Sequence, residues 1–201
     1  MRLVLSAVLL ATSALVACPA ADEDDEGRRP GEGEGEGEGE GEGEGEGEGE
    51  AACTPISLND AAGDASGAGF AFYSATLTPA IGGSTDDVAA LEFFRDTAFA
   101  PGSIDLSAGV NANYATCEAC VVVYEDAEGD TAARRYFPRS GTLGLSLDPL
   151  SAGLEATLNN VELVEVTIDA DNDFTSTPVV GGRCLVVTSS ALSAPLPPAA
   201  E

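Results

Sequence analysis

The chain has 201 residues, a formal net charge of −27 and no histidine. So acidic a balance argues against nucleic acid and anionic lipid surfaces as partners, because both are gripped through Lys and Arg. Without imidazole, Ser-His-acid and Cys-His catalysis are excluded.

The first element is an export signal. Arg2 supplies a short positive region, and an apolar stretch runs from Leu3 to Val16. It is too short for a stable membrane span and has the build of a cleaved signal peptide, residues 1–17. Its end, Leu15-Val16-Ala17-Cys18, resembles the lipobox of bacterial lipoproteins at all four positions. That resemblance implies a diacylglycerol on the Cys18 thiol, cleavage before it and acylation of the new amino terminus. The competing reading is an ordinary signal peptide with Cys18 left over. Cysteine arithmetic favours the lipid: of five Cys, removing Cys18 leaves Cys53, Cys117, Cys120 and Cys184, enough for two disulfides in an oxidising compartment. Pro19, rather than Asp, follows Cys18. By resemblance to other lipoproteins, this favours the outer membrane.

Residues 18–52 form a lipidated Cys and a linker. From Gly31 to Glu50, Gly and Glu alternate without exception. Of the 35 acids, 15 lie between Asp22 and Glu50, opposed only by Arg28 and Arg29. Gly at every second position works against helix, and glutamates four apart repel. Strand is disfavoured because one face is bare and the other wholly charged. The composition predicts a disordered, self-repelling tether. From Pro19 to Ala52 it could span on the order of 100 Å when fully extended. Isolated carboxylates on such a chain lack the fixed geometry of a selective metal site.

Residues 53–192 read as one domain, followed by a flexible Pro- and Ala-rich tail, 193–201. Past the repeat there are 20 acids against Arg95, Arg134, Arg135, Arg139 and Arg183, a balance near −15. Strand signals recur between Gly, Asn, Asp and Pro. They are Phe70–Thr78, Val88–Phe94 (with a helix starting at Ser84–Asp87 as the competing reading), Cys120–Glu125, "TAARRYF", "GTLGLSL", Ala156–Asp169 and Arg183–Ser189. The Ala156–Asp169 run changes phase. Val161 and Leu163 lie on one face, and Val164, Val166 and Ile168 on the other. A bulge near Leu163-Val164 would restore a single buried face. The expected fold is all-β, an antiparallel sandwich or jelly roll. "NANYATCEACVVVYED", "RRYFPRSGTL" and "VELVEVTID" resemble a group of uncharacterised lipoproteins of myxobacteria-like organisms, which supplies no activity to carry over.

Candidate chemistry is sparse. Cys117 and Cys120 have C-x-x-C spacing, but further zinc ligands and the α/β context of a redox helix are lacking. If that stretch is extended, its two sulfurs diverge, so each is expected to pair with Cys53 or Cys184. The alternative is a turn closing Cys117–Cys120, with Cys53–Cys184 joining the ends. Asp169, Asp171 and Asp173 are the Ca²⁺ candidates, since alternate carboxylates can converge in a loop. Phe174 and Val180 stand where an EF-hand-like loop needs Gly and Glu, so a polar turn competes. Glu125–Asp130 reads as a hairpin loop. "ARRYFPR" holds three arginines, for which ion pairing within the domain is preferred over an anionic ligand. There is no Trp, and sugar-binding clefts usually lean on aromatic platforms, which argues against a glycosidase. The expected function is a non-enzymatic, membrane-anchored binding or structural module, with an unknown protein or glycan as partner. The alternatives are a carboxylate-dependent hydrolase and a Ca²⁺-stabilised adhesion domain.

Overall fold

A computed structural model describes residues 52–83, 86–129 and 131–200. The expected signal peptide, the expected lipid site Cys18 and the expected Gly/Glu tether lie outside the described residues. Seven long strands follow one another: β2 (Ser57–Gly67), β3 (Phe70–Thr78), β4 (Asp86–Phe94), β6 (Ala119–Ala127), β7 (Arg134–Leu145), β8 (Leu154–Asp169) and β10 (Cys184–Ala194). Each pairs antiparallel with the next. Three short strands complete the set. β1 (Thr54–Pro55) lies parallel to β10, β5 (Gly102–Asp105) joins the far end of β7, and β9 (Thr175–Pro178) joins the far end of β8.

The antiparallel all-β architecture is the expected one, and its strands belong to a single sheet that curls until its ends meet. Because each long strand pairs with its successor, the chain meanders instead of crossing between two stacked layers. An odd number of antiparallel strands leaves the first and last pointing the same way. The closure is accordingly parallel. Thr54 and Pro55 pair with Leu185 and Val186, and Ser66 pairs with Ala199. Between them the Leu58 N–H donates to Ser190 Oγ at 2.9 Å.

The expected flexible tail takes part in this closure. The Ser66 N–H donates to the Pro198 carbonyl at 2.9 Å, and the Ala200 N–H to the Ser66 carbonyl at 2.8 Å. Gly63 lets the tail approach, since a Cβ there would sit 2.9 Å from the Pro195 oxygen. The reason is geometric: without residues 195–200 the lower half of β2 would present an unpaired edge.

Inside the curled sheet lies the main core, with Tyr73, Leu91, Phe93, Val121, Leu143, Leu158, Leu163 and Leu185 all fully buried. Each such side chain contributes roughly 1.5–3 kcal/mol by leaving water. One end is closed by buried acids. Asp87 accepts from the Ile81 and Gly82 N–H groups at 2.6 and 2.9 Å and from Asp126 N–H at 3.0 Å. Beside it Glu125 receives Arg134 and Arg183.

A second core lies on the outer face. Cys117, Cys120, Val122, Phe137 and Val166 are buried there, with Tyr114, Tyr124, Val164 and Ile168 against them. This corrects the expected bulge. On both sides β8 runs in register through Leu163 and Val164. In β8 itself the irregularity falls earlier, where Asn160 takes φ +48 and Gly141 of β7 packs against it, while the extra residue opposite Leu163 and Glu162 is Arg139 of β7. Val164, Val166 and Ile168 need no phase shift, because the chain around Tyr114–Cys117 covers that face.

Candidate functional site: a groove on the outer face

The chain preceding β6 is folded tightly onto the sheet. Asn113 is its anchor: its side-chain amide donates to the Ser176 carbonyl at 2.9 Å, and its oxygen accepts the Ser176 N–H at 3.0 Å. Asn111 caps the entry into β6 by accepting the Glu118 and Ala119 N–H groups at 3.1 Å. These bonds stand Tyr114 upright beside the outward residues of β4 and β6.

The result is a groove of about 650 Å³ across the outer face. Val88 and Ala90 of β4 and Ser74 of β3 form its floor, and Tyr114, Tyr124 and Phe174 its aromatic walls. Small residues keep it open: alternate outward positions on β4 are Val88 and Ala90, with Ala127 and Gly129 at one end. Phe174 is 48 % exposed in the β8–β9 turn. Polar groups are few. Asp64 accepts from Ser74 Oγ at 3.0 Å, Thr131 stands at the rim, and Arg135 lies 6.0 Å above the Tyr124 ring.

Arg135 is distinctive in this domain. Arg95, Arg134, Arg139 and Arg183 pair with Glu118, Glu125, Glu162 and Glu125 respectively. Among the described residues Arg135 is the arginine in no such ion pair, and its contact is the Tyr124 ring. The expected pairing within "ARRYFPR" therefore holds for Arg134 and Arg139, while Arg135 faces the groove.

Behind the wall, Tyr114 Oη donates to Glu92 Oε2 at 2.9 Å. Burial raises the Glu92 pKa, and the Tyr114 hydrogen bond opposes that rise. Burial and then the Glu92 charge push the Tyr114 phenol well above its ordinary value. Tyr114 is thus a neutral hydrogen-bond donor with a fixed ring plane. Sequence reasoning missed Glu92, Tyr114 and Tyr124. The signal available was the polar Glu92 at an outward position of an otherwise apolar strand.

The sequence-predicted residues fall elsewhere. The cysteines form Cys53–Cys184 and Cys117–Cys120 disulfides, not the expected cross-pairing. The segment before Cys117 is a turn, with the Cys117 N–H donating to the Asn113 carbonyl at 3.0 Å. After it the chain bends at Glu118, whose N–H is held by Asn111, and the Cys117 and Cys120 Cα atoms lie 5.5 Å apart, where an extended chain would separate the sulfurs. Cys53 is set beside Cys184 by the parallel pairing of β1. Asp169, Asp171 and Asp173 lie exposed in the turn from β8 to β9. Asp169 Oδ1 accepts the Asp171 N–H at 3.0 Å, the geometry of the polar turn. Among the described residues the three aspartates do not form a cluster of convergent ligand atoms; Cys53, Glu162 and Cys184 do, two of them already disulfide-bonded. The hairpin expected around Glu125–Asp130 joins β6 to β7, with Glu128 bridged to Thr131.

Comparison of the chain with protein-family models, with curated proteins and with solved structures finds no match. The chemistry of the groove is read from its own residues.

Proposed function

We propose that this chain is an exported lipoprotein, anchored through Cys18, whose β domain binds a neutral glycan in the outer-face groove without cleaving it. The groove carries the reading. Aromatic walls give a sugar ring an apolar face to lie on, while Arg135, Asp64, Ser74 and Thr131 offer donors and acceptors for hydroxyls. The guanidinium fork suits paired oxygens. A domain balance near −15 works against polyanionic ligands. The rival hydrolase reading draws on Glu92, whose raised pKa suits a general acid.

The test is calorimetric titration of the domain with neutral oligosaccharides, using Tyr124→Ala and Arg135→Ala as groove variants. Binding by the parent and loss in both variants support the reading; absence of binding to every oligosaccharide overturns it. Release of reducing ends during the titration would favour the hydrolase. Mass spectrometry of the mature amino terminus tests the anchor, and an unmodified Cys18 would sink that part.

A further inference from the structure

The chain has four Tyr, seven Phe and no Trp. Tyr73, Phe93, Phe99, Tyr136 and Phe137 are buried. The other six divide into two sets on the same outer face. Tyr114, Tyr124 and Phe174 wall the groove. Phe70, Phe72 and Phe94 form a ladder beside it, with ring centroids 5.2 Å apart for Phe70–Phe72 and 5.3 Å for Phe72–Phe94. Partly exposed aromatic rings gathered on one face, with none scattered elsewhere, mark a recognition surface.

The two sets are continuous by register. Ser74 pairs with Ala90 on the groove floor, Phe72 pairs with Glu92 in the next outward row, and Phe70 pairs with Phe94 in the row after that. Glu92, between ladder and groove, is the carboxylate that Tyr114 holds. From Ala90 to Phe94 the track extends the groove by about 13 Å. The ladder's rings are canted to one another, by 36° for Phe70–Phe72 and 68° for Phe72–Phe94, so its contact surface is stepped. A Cβ on Gly67 would run into the Phe70 ring, so the glycine leaves the space over which that ring lies.

We propose that the ligand is a linear neutral polysaccharide, and that Phe70, Phe72 and Phe94 are further subsites for the chain that enters the groove. This rests on the glycan reading above and specifies its length. A short sugar fills the groove alone, and a longer chain reaches the canted rings of the ladder as well. The charges beside the track are partnered, Glu92 by Tyr114 and Glu118, next to Phe94, by Arg95 at 3.4 Å, which suits an uncharged polymer.

The experiment compares di- and hexasaccharides of linear glucan, xylan and mannan on the full chain and on its Phe72→Ala/Phe94→Ala variant. A hexasaccharide should bind more tightly than its disaccharide, and the variant should lose about tenfold for the hexasaccharide while leaving the disaccharide within about twofold. Equal affinity for both lengths, with the groove variants still defective, overturns the extended track and leaves the groove reading standing. Failure of all sugars to bind overturns both. Self-association through this face, seen by sedimentation and abolished in the Phe72→Ala/Phe94→Ala variant, would also overturn the proposal. The circular dichroism melt of that variant confirms that it folds.

Discussion

Tyr136 donates its phenolic hydrogen to Glu125 inside the closed end of the sheet, where Glu125 is 3 % exposed. The same carboxylate receives Arg134 Nη1 at 2.6 Å and Arg183 Nη1 at 2.9 Å. Every oxygen of this buried acid is therefore engaged. Glu125→Ala would leave two guanidinium groups and a phenol short of a partner, and is expected to cost about 3–5 kcal/mol. Tyr136→Phe removes one bond to a charged group and should cost about 1.5–3 kcal/mol. Urea unfolding of the two variants decides the matter; equal losses would mean that the arginines find other partners.

Gly141 carries a second prediction. It sits at φ +107, and a Cβ there would lie 2.6 Å from the Asn160 carbonyl oxygen. Gly141→Ala is expected to lose more than the about 1–3 kcal/mol of backbone strain alone, because β8 backbone must also shift. Gly144 on the same strand is the control, since its Cβ would meet Thr157 at an ordinary 3.6 Å. Similar melting temperatures for the two alanine variants would refute the argument.

The disulfides should differ in worth. Cys53–Cys184 spans 131 positions and Cys117–Cys120 only 3. On the chain-entropy view, removing the first costs roughly 5 kcal/mol and the second roughly 2 kcal/mol. Paired Cys→Ala variants measured by denaturant unfolding give the comparison, and a larger loss from the short loop would contradict it.

Glu92 sets a pH dependence. Burial makes its carboxyl hold its proton more tightly when folded than when unfolded. Its stabilising contribution is then complete below the ordinary carboxyl value of 4.5 and declines as pH rises through the raised folded value. Glu92→Gln keeps an acceptor for Tyr114 but cannot ionise. The variant should therefore gain on the parent as pH climbs from about 4 to about 7, read as the difference in urea midpoint. A constant difference across that range would remove Glu92 as the source.

Strands with a strong β-branched or aromatic pattern were legible in the sequence. Cys120–Glu125 and Val88–Phe94 fall within β6 and β4. "TAARRYF" and "GTLGLSL" fuse into β7, because Arg139 bulges out of the β8 pairing without ending the strand. β2 carries "SLNDAAGDASG", almost without large apolar residues, and is a strand because β3 and the tail pair with it. That is a tertiary cause and leaves no local periodicity. The second face of β8 posed the same problem. Nothing in "GVNANYATC" announces that it will cover Val166. The groove was illegible for a related reason: its lining runs from Asp64 to Phe174, and only strand register brings those residues together.

The Cys53–Cys184 bond also determines how the domain meets mechanical load. A pull on the chain ahead of Cys53 does not have to pass along the two-residue β1. It crosses a covalent bond into the first residue of β10, which is paired with β8 from Cys184–Val164 to Ala194–Leu154. Tension that would otherwise peel an edge is delivered into one of the longest pairings of the sheet. Under the proposed amino-terminal anchoring, the attachment point is thereby among the last places to yield.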